Sequence, residues 1–253
     1  MANIDKKTEK IAVLIDGDNA QAKLLRAIME EVAKYGKVTI RRIYGDWTQT
    51  RMNSWKDLLN ELSFTPIQKF SYTTGKNSTD SALIIDAMDI LHSGVTDGFC
   101  IVSSDSDYTG LAKRIREEGV FVMGVGEKKT PAAFVRSCEV FTFYENIVQE
   151  PILEKAITTP KAKKEVSKPE APKFPPVDLR LIDKAYFMSN TEDAGIFVSS
   201  LGTNLRKIDS SFDPRAHGFA NLTRLLESLP EYEISRVESG GFTHPFAKRA
   251  KKV

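Results

Sequence analysis

Short runs of consecutive apolar residues alternate with helical patterns through the first 150 residues of this chain. The run at 11–15 is unbroken and polar-flanked, which is typical of a strand buried on both faces. The strand-like runs are residues 11–15, 38–44, 64–68, 99–102, 120–125 and 140–143. Helical periodicity separates them, as at 20–35 and 51–62. This alternation predicts an α/β fold, a Rossmann-like doubly wound parallel sheet with helices on both faces.

The character of the chain changes after this region. Residues 154–176 are dominated by Lys, Pro, Ala and Glu without apolar periodicity, which predicts a flexible linker, or alternatively a basic arm for nucleic acid. Residues 177–237 show three short helical patterns and a final strand-like run, the plan of a small winged helix. The predicted segments are an α/β domain at 8–148, a linker at 149–176, a winged-helix domain at 177–240 and a basic tail at 241–253.

Charge and composition add modest constraints. The 253 residues are 28% charged and 41% hydrophobic, as in soluble globular proteins. Residues 1–150 carry 19 Lys+Arg and 21 Asp+Glu, a net −2, whereas residues 151–253 carry 17 and 13, a net +4. The second part is therefore mildly basic, which favours an anionic partner.

The cysteines and the hydropathy of the chain indicate its cellular compartment. Cys100 and Cys138 lie in apolar runs without metal-ligand spacing, so we expect reduced core residues. No apolar run approaches the ~18 residues of a membrane span, and the first residues do not form a signal peptide. We expect a cytoplasmic protein with no membrane contact.

Carboxylates follow two of the predicted strands. Asp16 and Asp18 end the first strand, Asp105 and Asp107 end the fourth, and Asp80 begins a helix between them. The first and fourth strands of a doubly wound sheet are neighbours at the switch point, where ligands bind. Carboxylates gathered in one cleft repel each other unless a cation compensates, and Mg²⁺ or Mn²⁺ prefers oxygen ligands.

Each carboxylate also has a purely structural interpretation. Asp16 or Asp105 can cap the following helix, and we favour Asp18 as the cap while Asp16 holds metal. Asp80 can act through its charge at a helix N-terminus. Asp86 lies six residues beyond Asp80, a rotation of about 240°, so we expect it to be structural or to support the metal ligands indirectly.

Other chemistries have little support. The three histidines, His92, His217 and His244, are scattered, so the sequence indicates neither a zinc site nor a Ser/His triad. It also contains no glycine-rich phosphate loop.

Residues 10–147 resemble the NYN domain, the LabA-like branch of the PIN-like ribonuclease superfamily. The matching stretches are Ile15-Asp16-Gly17-Asp18-Asn19, Arg42-Ile43-Tyr44-Gly45-Asp46-Trp47, Lys76-Asn77-Ser78-Thr79-Asp80 and Val102-Ser103-Ser104-Asp105-Ser106-Asp107-Tyr108. Family members commonly show glycine in place of Ser104 and phenylalanine in place of Tyr108. The resemblance implies a metal-dependent nuclease acting mainly on RNA, with an acidic set of Asp16, Asp80, Asp105 and Asp107. It also implies that Asn19 orients a carboxylate or the substrate.

Residues 177–237 resemble the LOTUS (OST-HTH) domain, a winged helix that binds RNA. The match covers the stretch at 197–207, Phe212-Asp213-Pro214-Arg215-Ala216-His217-Gly218-Phe219 and Leu222-Thr223-Arg224-Leu225-Leu226. The pairing of these two domains recurs in bacteria, which favours a bacterial source.

Several further residues are candidates for contact with RNA. Tyr44 and Trp47 are either core residues or stacking surfaces for bases, and Lys76 is either solvated or a phosphate contact. The candidates around the acidic set are Asn19, Tyr44, Trp47, Lys76, Ser103 and Ser104. The candidates for the phosphate backbone in the second domain are Arg206, Lys207, Arg215 and Arg224.

Three functions remain in competition at this point. The first is a Mg²⁺- or Mn²⁺-dependent endoribonuclease acting on single-stranded or structured RNA. The second is an RNA-binding or regulatory adaptor without turnover, and self-association is left open in both. The third is a haloacid-dehalogenase-type phosphatase, since Asp16-Gly17-Asp18 imitates its nucleophile motif, although Asn19-Ala20 leads directly into a helix.

Overall fold

The computed structural model of this protein describes residues 9–70, 78–148, 174–189, 195–239 and 241–250. The chain divides into two compact units, Met1–Val148 and Gln149–Val253.

The first unit is built on a six-stranded parallel sheet. Its order is β3-β2-β1-β4-β5-β6, so the first and fourth strands are hydrogen-bonded neighbours, as predicted. The strands are β1 (Lys10–Asp16), β2 (Lys37–Gly45), β3 (Thr65–Gln68), β4 (Gly98–Val102), β5 (Phe121–Gly126) and β6 (Val140–Phe143). The predicted α/β fold with a Rossmann-like parallel sheet is confirmed.

Helices connect these strands and cover the sheet. They are α1 (Leu25–Ala33), α2 (Lys56–Glu61), α3 (Ser78–Ser93), α4 (Thr109–Glu117), α5 (Ala132–Ser137) and α6 (Tyr144–Val148). The segments predicted as single helices at 20–35 and 51–62 each begin with 3₁₀ turns, at Ala22–Leu24 and Thr50–Trp55. A further 3₁₀ turn, Ser106–Tyr108, precedes α4.

The position of β1 in the middle of the sheet explains why its sequence is apolar without interruption. Ile11, Val13 and Ile15 belong to a core on one face of the sheet, whereas Ala12 and Leu14 belong to a core on the other. Successive side chains of a strand point to opposite faces, so a strand covered on both sides has no position for a polar residue until it ends at Asp16.

The second unit has the winged-helix plan that we predicted. Its helices are α7 (Leu179–Phe187), α8 (Val198–Ile208) and α9 (Leu222–Glu227). Its antiparallel sheet has the order β7-β9-β8, with β7 at Ile196–Phe197, β8 at Tyr232–Ser239 and β9 at Phe242–Arg249. Leu201, Leu205, Leu225 and Leu226 are fully buried between these elements.

The prediction of a basic tail at 241–253 is wrong for most of that segment. Residues Phe242–Arg249 form β9, the middle strand of the small sheet. Ser239 pairs with Phe242, and Gly241, directly before Phe242, has a positive φ of +80°, which glycine adopts without strain. The basic residues near the C-terminus led to the prediction of a tail, although the side chains of this segment alternate between the two faces of a strand.

Residues just before the predicted start of the second domain also pack against it. The ring of Phe174 covers Gly218, which has φ +86°, and the Nδ1 of His217 lies 2.9 Å from the Pro175 carbonyl oxygen. These contacts extend the described unit to residue 174, within the segment that we predicted as linker.

Cys100 and Cys138 are free and buried, as expected. Burial raises the pKa of the Cys138 thiol to about 12, so the thiol stays protonated at neutral pH. Among the described helices, none is both long enough and apolar enough to cross a bilayer.

Packing between β5 and β6 predicts a sharp effect at Gly124. A Cβ there would run into the Phe141 ring and lie 2.9 Å from the Cys138 sulfur. We expect Gly124→Ala to lower the free energy of unfolding by about 1–3 kcal/mol, measured by urea denaturation. Gly110→Ala in α4 is the control, because a Cβ there meets nothing within 4 Å. It should leave stability unchanged or raise it by up to about 1 kcal/mol, and equal losses in both variants would contradict the prediction.

Candidate metal-binding site

A serine hydroxyl, that of Ser103, connects the carboxylate at the end of β1 to the loop after β4. Ile15 is paired with Val102, so the next residues, Asp16 and Ser103, lie side by side where both strands end. The Ser103 hydroxyl donates to Asp16 Oδ2 at 3.0 Å and accepts the Asp105 backbone N–H at 3.1 Å. Ser103 therefore links the first carboxylate to the loop that carries the others.

Asp16 is fully buried and well supplied with hydrogen bonds. Besides Ser103, its carboxylate accepts the Asn19 side-chain amide at 2.6 Å and the Asp18 backbone N–H at 3.1 Å. Burial raises the pKa of Asp16 despite these hydrogen bonds, and the charge of Asp80 raises it further. Of the two roles considered for Asn19, the structure shows the contact with a carboxylate.

Three other carboxylates form a cluster in front of Asp16. Asp80 lies in the first turn of α3, Asp105 caps the 3₁₀ turn after β4, and Asp107 lies within that turn. One oxygen from each lies within 4.8 Å of the others. Asp105 accepts the Asp107 backbone N–H at 3.0 Å, which fixes these two residues relative to each other. We call Asp80, Asp105 and Asp107 the acidic cluster.

The acidic cluster suits a hard divalent cation. Burial and the charges of Asp105, Asp107 and Asp18 raise the pKa of Asp80, because the ionised form is poorly solvated and repelled. A cation with a preference for oxygen ligands relieves both effects, and Mg²⁺ and Mn²⁺ have that preference. Asp16 lies outside this set of three, so its direct contact with a metal stays a prediction.

Tyr108 connects Asp16 to the acidic cluster and was missed by the sequence analysis. Its hydroxyl donates to Asp80 Oδ1 at 2.7 Å and lies beside the Asp16 carboxylate. Burial raises the pKa of the Tyr108 phenol, so it stays a hydrogen-bond donor. The signal was present in the sequence, since a tyrosine stands where relatives of this kind commonly have phenylalanine.

Asp18 does not cap a helix, which corrects our expectation. The 3₁₀ turn at Ala22–Leu24 has no side-chain cap, and Asp18 Oδ1 instead lies 3.1 Å from the Arg51 guanidinium. Asp18 also repels Asp80, so this ion pair adjoins the acidic cluster. Arg51 is half exposed and places a positive charge near the acidic cluster.

The two domain models decide the family. An NYN domain model matches residues 10–146. The chain belongs to the NYN domain family. An OST-HTH/LOTUS domain model matches residues 179–243, so the chain combines a PIN-like NYN domain with an RNA-binding OST-HTH/LOTUS domain.

Known structures add little beyond this. A protein of unknown function from Vibrio parahaemolyticus is 18% identical, with a TM-score of 0.46, and the match covers 56% of this chain and 96% of that one. MurG from Acinetobacter baumannii is 12% identical, with a TM-score of 0.36, covering 53% of this chain and 40% of that one. Neither similarity is high enough to assign a function. No curated protein matches the sequence significantly.

Two predicted contacts of the NYN domain with substrate are wrong. Tyr44 is fully buried and its hydroxyl donates to Asp86, which also binds Arg42, so the Tyr44 ring offers no stacking surface. Ser103 is fully buried as well, and its hydroxyl already donates one hydrogen bond and accepts another within the protein. Asp86 is a structural residue, as we expected.

The remaining candidates in the NYN domain differ in exposure. Trp47 is half-buried and its indole N–H donates to the Ile67 carbonyl at 3.1 Å. The Ser104 hydroxyl accepts the Glu127 backbone N–H at 2.9 Å. Lys76 lies outside the described residues. Trp47 therefore stays a candidate for contact with a base.

Asp46 fixes the loop that carries Trp47. Its carboxylate accepts hydrogen bonds from Thr48, Gln49 and Gln68, and these hold the pKa of Asp46 well below its usual range. Gln68 also accepts the Trp47 backbone N–H at 2.9 Å.

The basic candidates of the OST-HTH/LOTUS domain are unequally available. Arg215 folds back on Asp213, with three hydrogen bonds of 2.7–3.0 Å from its guanidinium, so its contact with the phosphate backbone stays a prediction. Arg224 is mostly exposed but lies 2.9 Å from Glu227. Arg206 and Lys207 are exposed in the last turn of α8.

The acidic cluster predicts a specific cation site that can be measured without any RNA. We expect one Mn²⁺ to bind the protein, and Asp105→Asn to weaken that binding by about tenfold or more, measured by electron paramagnetic resonance of free Mn²⁺. Asp89→Asn is the matched control, because Asp89 is an exposed carboxylate on α3. Equal Mn²⁺ affinity in the Asp105 variant and the original protein would rule out this site.

Proposed function

We propose that the NYN domain is a Mg²⁺- or Mn²⁺-dependent endoribonuclease and that the OST-HTH/LOTUS domain binds its RNA. The observation that carries this proposal is the convergence of Asp80, Asp105 and Asp107 within 4.8 Å at the carboxyl edge of the sheet. In open α/β sheets this edge is where ligands bind.

The acidic residues have two different tasks in this proposal. Asp80, Asp105 and Asp107 hold the cation, which when bound polarises a phosphodiester and lowers the pKa of a coordinated water. Asp16 is the fourth acidic residue. From behind the cluster it holds Ser103 and adjoins Tyr108, whose other contacts orient Asp105 and Asp80.

The rim of the site supplies contacts for the RNA backbone. The guanidinium of Arg51 is anchored by Asp18 on one side and half exposed on the other. A planar guanidinium is well suited to a phosphate oxygen pair. We assign Arg51 to a phosphate next to the scissile bond, and Trp47 to the stacking of a neighbouring base.

The phosphatase alternative requires an accessible nucleophile. Asp16 would have to attack a phosphate, but it is fully buried and accepts three hydrogen bonds. This burial favours the nuclease over a phospho-aspartate mechanism.

Cleavage of labelled single-stranded and structured RNAs tests the proposal directly. We expect cleavage with Mn²⁺ or Mg²⁺, none with EDTA, and a loss of about 100-fold or more in rate for Asp105→Asn. Asp89→Asn should cleave normally. Tight RNA binding without cleavage by the original protein would instead establish the adaptor function.

Arg51 predicts a separable effect on substrate affinity. We expect Arg51→Ala to raise the KM for RNA by about tenfold with little change in kcat, since a phosphate contact away from the reacting atoms contributes to binding. Arg26→Ala is the control, because Arg26 is a similarly exposed arginine paired with an acid, Glu61. A loss of kcat with unchanged KM would place Arg51 in the chemical step instead.

A further inference from the structure

The small sheet of the OST-HTH/LOTUS domain has two faces of different character. Ile196, Tyr232 and Ala247 point into the hydrophobic core of the domain. Because side chains alternate along a strand, the residues next to these along each strand lie on the opposite, outer face of the sheet. Phe197 and Phe246, a directly paired couple on β7 and β9, are on that face and are absent from the core.

The outer face carries a continuous set of aromatic rings. The ring of Phe197 lies 5.3 Å from that of Phe246 and 6.1 Å from that of His244, both edge to face. Val237 is paired with His244 and is 38% exposed, and Phe242 is 73% exposed. We call Phe197, Val237, Phe242, His244 and Phe246 the aromatic face.

Such a surface is not what an outward-facing antiparallel strand normally shows. A strand with one face on a core has polar residues on the other, whereas β9 places Phe242, His244 and Phe246 on its outer side. Contiguous exposed apolar groups mark interaction sites more often than single ones do.

The spacing of the rings fits nucleobases. Alternate residues of a strand are about 6.6 Å apart, so Phe242, His244 and Phe246 present rings at regular intervals along one line. Phe246 also covers Gly195, and with Phe197 it forms the floor of the aromatic face. Phe242 and His244 are the exposed rings. Aromatic residues on a sheet surface bind unstacked RNA bases in this manner.

The rest of the outer face is polar, and Glu233 on β8 is directly paired with Lys248 on β9. Lys248 continues the same side of β9 beyond Phe246 and is exposed. The hydroxyl residues Ser235 and Ser239 are paired with Phe246 and Phe242 on the same side of the sheet. Hydroxyls beside aromatic rings match riboses and phosphates beside bases.

We propose that the aromatic face is a stacking platform for single-stranded RNA, with one base on Phe242 and the next on His244. This proposal rests on RNA binding by the OST-HTH/LOTUS domain and names the surface responsible. The proposed contacts do not depend on Arg215 and Arg224, whose guanidinium groups pair with acids of their own domain. Stacking is available to unpaired bases and absent from a duplex, so the aromatic face favours single-stranded RNA.

The test is RNA binding by the full chain in EDTA, where cleavage is off. Fluorescence anisotropy compares a labelled 12-nucleotide single strand with the matching duplex. We expect the Phe242→Ala/His244→Ala variant to bind the single strand about tenfold or more weakly. The dependence of log Kd on log salt should keep its slope, because no phosphate contact is removed. The Phe242→Trp/His244→Tyr variant should bind normally.

Met188→Ala is the matched control, because Met188 is an exposed apolar residue of the same domain at the end of α7. Circular dichroism confirms that each variant is folded. Equal binding by the double alanine variant and the original protein would overturn the stacking platform while leaving RNA binding by the chain intact, and would point to a protein partner for this face. No binding by the original protein would overturn the proposed RNA binding itself.

Discussion

The parallel pairing of β1 with β4 is the constraint on which the candidate site depends. It places Asp16 beside Ser103, and through Ser103 it fixes the loop that presents Asp105 and Asp107. Both strands are buried on two faces, so neither can slip without exposing its apolar residues. The geometry of an acidic site at the surface is thus enforced by apolar packing beneath it.

Much of this arrangement was accessible from the sequence, because it follows from rules of strand order. An unbroken apolar run predicted that β1 is buried on both faces, and the switch-point rule predicted that Asp16 and the loop after β4 are close. The burial of Tyr44 was also available in principle. Tyr44 and Arg42 share one side of β2 and both bind Asp86 of α3, a contact that strand alternation allows.

The rest could not be predicted because it depends on contacts between distant or irregular segments. Arg51 lies in a 3₁₀ turn at the start of a segment that we predicted as one helix, and nothing local shows that its guanidinium reaches Asp18. Arg215 is the opposite case, since Asp213 two residues earlier captures its side chain. A count of basic residues treats a paired arginine and an available one alike. For the same reason, the charge of Lys248 and Arg249 obscured the strand in which they lie.

The contact of Asp86 with β2 has a thermodynamic consequence for the carboxylates. Asp86 ties α3 to Arg42 and Tyr44, and Tyr108 holds Asp80 at the start of the same helix. The helix is therefore held in position before any cation arrives, and the electrostatic repulsion within the cluster is imposed when the chain folds. Any divalent cation that binds there removes this repulsion in the folded state alone. Folding and cation binding are then linked equilibria, and the stability of the domain rises with the free concentration of the ion.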